Sequence, residues 1–314
     1  MIPQEALRNQ IGKTLKETSF GIGKFYKGKV RDNYSLNGTR IVVTTDRISA
    51  FDVVLGTIPF KGQVLNQLTV YWFEQTADIP NHLIESPDPN VMIVKNCKPV
   101  PIEMIVRGYL TGSAWRAYEK GEDVSGIRLP KGLKKNQQFP EPIITPTTKS
   151  DEGHDLPITR DYIVRNMLPE KEYRKIESMA LQLFRKGSEL AKKRGLILVD
   201  TKYEFGRYGD DFLVIDEIHT PDSSRFWIAD GNEQRFRSGT EQQMLDKEYL
   251  RQWLIERGFM GNGPAPKLSE EVLVEAARRY IELYELVTGK KFEAQAGDVA
   301  ERVKNNLKKR GYMK

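Results

Sequence analysis

The sequence predicts an α+β protein with a strand-rich first lobe and a mixed second lobe that ends in helices. Three observations carry this expectation. Up to Val106, short β-branched and aromatic runs alternate with turn residues, with one helical stretch among them. From Tyr173 to Leu190, and again from Leu273 to Val287, apolar residues recur at helical spacing. Between those helices stand two apolar runs, Leu196–Val199 and Phe212–Ile218, short enough to read as buried strands.

Taken in order, residues 25–34 and 40–45 read as a hairpin closed by Asn37-Gly38, because a type I′ turn needs positive φ at both central positions. A helix over Gln63–Gln75 follows, then short strands at Val91–Val94 and Ile102–Val106, separated by Asn96-Cys97-Lys98-Pro99. Ser113 reads as the cap of a short helix running to Gly121. Residues 125–160 show neither period, carry Pro130, Pro140, Pro142, Pro146 and Pro157, and read as one long loop. The helix from Tyr173 stops at Gly195, and the last long helix has acids at its start and Gly289-Lys290-Lys291 at its stop.

Composition narrows the function classes. The 314 residues are 39% hydrophobic and 29% charged, an ordinary soluble mixture with room for two lobes. No apolar run approaches the roughly 20 residues of a membrane helix, and the polar N-terminus does not read as a secretory signal. Cys97 is the only cysteine, which excludes an intrachain disulfide and fits a cytoplasmic protein. A net charge of +6 fits nucleic acid or small phosphate-rich substrates. The cations are dispersed, only Lys304–Lys314 is locally basic, and no zinc-finger or RNA-binding signature is present. Small anions are therefore the better reading, and the tail reads as the solvated face of a final helix. His82, His154 and His219 lie too far apart to form a metal-ligand pattern.

Three places invite chemistry. Gly23–Lys29 is a near miss for a Walker A loop, but Val30 stands where that loop needs Ser or Thr, and a hairpin follows instead of a helix. A Gly-rich hairpin laying backbone N–H groups over ATP remains, with Lys29 and Arg31 on one face of an extended strand; the plainer alternative is an exposed basic hairpin. Second, a hairpin symmetric about Asp210 sets Glu204 opposite Asp216, with Lys202 on the same face and Phe205 and Ile215 directed to the core. Facing carboxylates repel unless a cation lies between them, and hard oxygen ligands suit Mg²⁺; the alternative is a salt-bridged surface. Third, a strand delivers Arg107 to a helix opened by Gly112-Ser113, a seat for a phosphate, although simple capping explains Ser113 equally well. The turn holding Ser223 and Arg225 reaches the same cleft, and Asp46–Asp52 is a further polar turn.

Six segments occur in order: GKVRDNY, TTDRISAFD, IVRGYLTGSAW, FPEPIITPTTKSDEGHD, LVDTKYEFG and DEIHTPDSSRFW. Together they resemble the SAICAR synthetase (phosphoribosylaminoimidazole-succinocarboxamide synthase) family from about Gly28 to the C-terminal helix. The chain length and the TGSAW and TPDSSRFW wording are similar to the larger, monomer-type form; the oligomeric state itself stays open. The resemblance implies a two-lobed fold with a kinase-like and ATP-grasp-like nucleotide cleft, divided into a β-rich lobe (1–98) and a mixed lobe (99–314). It implies ATP-dependent ligation of L-aspartate to the carboxylate of 5-amino-1-(5-phosphoribosyl)imidazole-4-carboxylate (CAIR), through an acyl phosphate, in purine synthesis. A different small-molecule phosphotransferase is the alternative, with nucleic-acid binding a lesser one.

The same resemblance implies roles by position. Gly28, Lys29, Val30 and Arg31 would cover the ATP phosphates, and Lys95, Asn96 and Cys97 would form the hinge that reads adenine, with Glu103 just beyond. Glu204 and Asp216 would hold Mg²⁺ beside Lys202. Arg107, Ser113 and Arg225, with Ser223, would grip the 5′-phosphate, and Asp200 would face that nucleotide. Lys149 and Asp155 would lie near the reacting groups, and Asp46 and Ser49 are the candidates for the aspartate pocket. No nucleic-acid or membrane partner is implied.

Overall fold

The computed structural model describes residues 2–149, 156–245 and 247–314. Helix α1 (Gln4–Gln10) leads to an antiparallel meander of β1 (Lys24–Lys27), β2 (Arg31–Ser35) and β3 (Thr39–Thr44). The β2–β3 turn falls at the expected Asn37-Gly38, but of the two only Gly38 adopts positive φ, 78°, so it is not the expected type I′ turn. The expected single first strand is broken, because the Gly28 N–H bonds the Arg31 carbonyl at 2.8 Å and folds residues 28–30 into a turn. Lys29 therefore stands at a turn tip and does not share a strand face with Arg31.

A separate hairpin, β4 (Arg47–Ala50) and β5 (Val53–Thr57), turns on Phe51 and Asp52, both at positive φ. Helix α2 (Lys61–Gln75), β6 (Leu83–Asp88) and β7 (Val91–Lys95) follow, giving a first sheet in the order β1-β2-β3-β7-β6.

The second sheet is built on β8 (Lys98–Tyr109). After α3 (Gly112–Glu119), the Pro-rich stretch is not one loop but contributes β9 (Gln138–Ile144) and β10 (Thr147–Thr148), both paired to β8. Pro140 and Pro142 fall where the β8–β9 register shifts, and β9 has no second neighbour, so their missing N–H groups cost no ladder bond. Helices α4 (Arg160–Asn166) and α5 (Glu170–Lys193) precede β11 (Leu196–Tyr208), β12 (Asp211–Ile215) and β13 (Ser224–Ile228). The chain closes with α6 (Asn232–Ser238), α7 (Glu248–Ile255), α8 (Glu270–Thr288) and α9 (Val299–Lys309).

Burial explains the helices. Tyr173, Ile176, Ala180 and Leu183 of α5 are buried in the main core, and Gly195 ends that element at φ 70°. Val299, Val303 and Leu307 of α9 pack with Tyr34, Ile41 and Ile93 on the first sheet. At about 1.5–3 kcal/mol for each such side chain, this apolar stripe is what holds the final helix. Its lysines 304, 308 and 309 are exposed on the opposite face.

Positioning of the site comes from the β8–β11 pairing. Arg107 lies opposite Asp200, Ile105 opposite Lys202, and Glu103 opposite Glu204. Strand alternation sends Tyr203 and Phe205 fully into the core, leaving Asp200, Lys202 and Glu204 together on the other face.

Candidate active site

On that face, charge alternates along one surface. Lys202 Nζ bonds Glu103 and lies 3.2 Å from a Glu204 oxygen, while Lys149 Nζ bonds the other Glu204 oxygen. Burial pushes the Glu204 carboxyl up, but the ammoniums of Lys202 and Lys149 more than reverse this and hold it below the ordinary range. Burial works against charge on Lys202 as well, and Glu204 and Glu103 overcome it, raising its pKa.

The expected hairpin register is off by one residue. The turn is Gly209-Asp210, so Glu204 pairs with Ile215 and the carboxylate directly facing Glu204 is Glu103 on β8. Asp216 leaves β12 at φ 63°, and Arg31 Nη1 bonds it at 3.0 Å while Nη2 bonds Glu217 at 2.6 Å. Burial raises the Asp216 carboxyl against the pull of Arg31, and Glu204 and Glu217 push it the same way. Ile215 is buried as expected, packed with Cys97 and Leu213, and it also lines the cleft.

These residues wall a cavity of about 520 Å³. Gly28, Lys29, Val30 and Arg31 line it from the turn, Lys95 and Cys97 from the connection between the sheets, and Ser49, Glu103, Lys149, Lys202, Glu204 and Asp216 from the remaining walls. Lys29 is ion-paired with Asp52 at the surface. Asn96 does not line the cavity; its side-chain oxygen accepts from Arg40 at 2.9 Å. Gly206 lets β11 pass Cys97, since a Cβ there would stand 2.6 Å from the cysteine's own Cβ. His82 also lines the cavity and was missed, because a lone histidine carries no local signal. Burial, helped by Arg40 and Arg31, pushes it down to about 3, so its ring is neutral.

A second, smaller cavity of about 190 Å³ adjoins the first. Arg107 donates to Thr145 at 2.8 Å, Asp200 at 3.1 Å and Ser113 at 3.1 Å, and Arg225 also bonds Asp200. Ser113 is therefore no helix cap: Thr111 holds the cap position, and the Ser113 hydroxyl serves Arg107. Gly112, at φ 58°, is required because a Cβ would lie 2.5 Å from the Arg225 guanidinium. Ser223 lines the cavity as expected, together with Asp222, Lys247 and Arg251, which sequence reasoning did not find. Lys202, Asp222 and Lys247 line both cavities.

One more expected residue lies elsewhere. Asp46 is buried outside both cavities, its oxygens accepting from the Leu15 and Gly62 N–H groups at 2.7 and 2.8 Å, and burial lifts it to about 6. These two bonds tie the turn to the chain before β1 and to the start of α2. Asp155 lies outside the described residues. Among the described residues, no group of three His, Cys, Asp or Glu stands ready to hold a metal, and no helix is long and apolar enough to cross a membrane.

A family model described as SAICAR synthetase matches residues 24–265. The phosphoribosylaminoimidazole-succinocarboxamide synthase of Bacteroides fragilis is 48% identical over 307 residues, spanning 94% of this chain and 98% of that protein. Among solved structures, the SAICAR synthase of Saccharomyces cerevisiae complexed with SAICAR has a TM-score of 0.78 at 35% identity, covering 89% of this chain and 100% of that one. A SAICAR synthetase in complex with ADP has a TM-score of 0.67 at 29% identity, covering 86% and 100% respectively.

Proposed function

The chain belongs to the SAICAR synthetase family, and on that premise we propose that its larger cavity holds ATP and its smaller one the imidazole nucleotide. The protein is an ATP-dependent ligase of purine biosynthesis, joining L-aspartate to the carboxylate of CAIR. The observation that carries the assignment of the cavities is the continuous polar surface from Arg107–Asp200 to Glu103–Glu204, which runs from one cavity into the other.

Charge supports the division. Arg107, Arg225 and the Ser113 hydroxyl suit a 5′-phosphate, with Asp200 as the shared counter-ion that keeps both guanidiniums oriented. The turn at residues 28–30 and the Lys95–Cys97 connection face the other cavity, as phosphates and adenine require. Glu204 and Asp216 are hard oxygen donors on one wall, and with too few ligands among the described residues for a closed cage they fit an ion completed by phosphate oxygens. Mg²⁺ held there would neutralise charge on the transferring phosphoryl group.

A carboxylate repels an incoming amine, so it must first be activated. A CAIR carboxylate oxygen attacks the γ-phosphorus, the bond to the ADP oxygen breaks, and a carboxyl–phosphate anhydride forms. The aspartate nitrogen, having lost its ammonium proton, attacks the carboxyl carbon. The C–O bond to phosphate breaks, and the second nitrogen proton leaves with the phosphate. Lys202 and Lys149 lie beside the carboxylates where this charge passes and orient it without forming a covalent bond. A division of the chain at residue 98, a cytoplasmic setting and a monomeric state belong to the same proposal.

ADP release, with CAIR and aspartate omitted in turn, tests the reading. Dependence on both is expected, and ADP formed equally well without aspartate would point to a simple phosphotransferase. Arg107→Ala should raise KM for CAIR by about tenfold or more with little change in KM for ATP. An unchanged CAIR KM would remove Arg107 from the phosphate seat.

A further inference from the structure

The turn at residues 28–30 faces the larger cavity, yet what holds its backbone lies behind it. Arg47, at the start of β4, lines neither cavity and is 5% exposed. Its guanidinium makes four hydrogen bonds, and only one of them answers a charge, from Nη2 to Asp32 at 2.8 Å. The other three go to backbone carbonyls: Nε to Lys29 at 2.9 Å, Nη2 to Gly28 at 2.9 Å and Nη1 to Lys16 at 2.6 Å. The Val30 carbonyl is engaged as well, by the N–H and the hydroxyl of Thr45 at 3.0 and 2.8 Å. Every carbonyl of residues 28–30 thus accepts from the short segment that holds Thr45 and Arg47.

Holding the carbonyls also fixes the amides. In a trans peptide the C=O and the following N–H point in opposite directions. Carbonyls of Gly28 and Lys29 drawn onto the guanidinium therefore turn the N–H groups of Lys29 and Val30 away from it. Among the described residues those two N–H groups donate to no acceptor. Gly28, Lys29 and Val30 line the cavity whereas Arg47 does not, so the side away from the guanidinium is the cavity side. Adjacent N–H groups aimed one way make a small concave donor site for an anion. Pairing with Asp32 would need neither carbonyl, and an ammonium, lacking the planar fork, does not span them all. The chain before β1 braces the guanidinium from the rear: Lys16 lends its carbonyl, and the Thr18 N–H and hydroxyl bond the other Asp32 oxygen at 2.6 and 2.9 Å.

Resting on the assignment of ATP to the larger cavity, we propose that Arg47 is a positioning residue for the nucleotide phosphates. It holds the carbonyls of residues 28 and 29 behind the turn and so presents the Lys29 and Val30 N–H groups to a phosphate oxygen. Thr45 does the same, more weakly, for the carbonyl of Val30. Neither side chain touches the nucleotide, and a carbonyl released from either would be free to swing toward the phosphates and repel them.

Steady-state ADP release, with ADP and adenosine as inhibitors against ATP, tests the clamp. Arg47→Lys keeps the charge beside Asp32 but loses the fork. It should raise KM for ATP and the inhibition constant of ADP about tenfold, while the constant for adenosine, which has no phosphate, stays within about twofold. KM for CAIR and for aspartate should also stay within about twofold. Thr45→Val should show the same phosphate-selective pattern at about threefold, and it decides the matter if Arg47→Lys does not fold. An unchanged ADP constant, or equal losses for ADP and adenosine, would overturn the clamp, because a general loosening of the lobe does not single out phosphates. In the unsubstituted protein, ADP release that ignores CAIR and aspartate would overturn the functional reading on which the clamp rests, a result obtained without either variant.

Discussion

The two sides of the larger cavity are built in opposite ways. Its floor, on β8, β11 and the end of β12, consists of residues locked into ion pairs, the buried Glu204 with the half-buried Lys149 and Lys202, and the half-buried Asp216 with the buried Arg31. Its rim, β1 and the turn at residues 28–30, has all four β1 residues exposed and Lys29 paired only at the surface. A floor with satisfied partners keeps its geometry without a ligand, whereas the exposed side chains of the rim gain most of their order from what binds beneath them. Arg31 joins the two, since it begins β2 immediately after the turn and holds both carboxylates at the end of β12.

That contrast can be broken most severely at the join. Arg31→Met strands Asp216 and Glu217 without their cation and should cost about 3–5 kcal/mol of stability, measured by urea unfolding; a loss under about 1 kcal/mol would mean the floor does not depend on it. Glu204→Gln should lower kcat by about 10²–10³-fold while the protein stays folded, as checked by turnover and thermal melting. Near-normal turnover would place the decisive charge elsewhere.

A pH titration sharpens the same comparison. The Glu204 pKa is lower in the folded protein than its ordinary 4.5. Between those values the unfolded chain binds more protons, so this contribution is present above 4.5 and is lost as pH falls toward the folded value near 2. The stability difference between the unsubstituted protein and Glu204→Gln should therefore shrink by about 2 kcal/mol as pH drops through that window. A difference independent of pH would contradict it. Asp46 acts with the opposite sign, since burial raises it to about 6, and subtracting the variant cancels it. The smallest effect belongs to the rim: Lys29→Ala should raise KM for ATP about threefold with no change in melting temperature, an exposed pair contributing little to stability. A large loss of stability would show that the rim is as rigid as the floor.

Much of this was legible along the chain wherever local chemistry decides. Asn37-Gly38 marked its turn, the spacing of Tyr173 to Leu183 marked α5, and period-two alternation put Lys202 beside Glu204. What escaped depended on contacts distant in sequence or on a single step of register. Choosing Asp210 as the hairpin centre, where the turn is Gly209-Asp210, set Asp216 opposite Glu204 and hid Glu103, which stands 101 positions away on β8. Prolines argued against strands at residues 138–144, although an unpaired edge tolerates them. Asp46 looked functional because its charge was visible and its backbone partners were not. Lys247 lacked any local mark, since only the fold brings it to both cavities.

The solitary thiol has a practical consequence. Cys97 lines the larger cavity, is 5% exposed, and is pushed up by burial, so it should alkylate slowly. With no other sulfhydryl in the chain, every adduct formed by a maleimide or iodoacetamide reports this one position. Intact-mass spectrometry at timed intervals then becomes a footprint of this cavity wall, and ATP, if the cavity holds it as proposed, should lengthen the labelling half-life without any engineered probe.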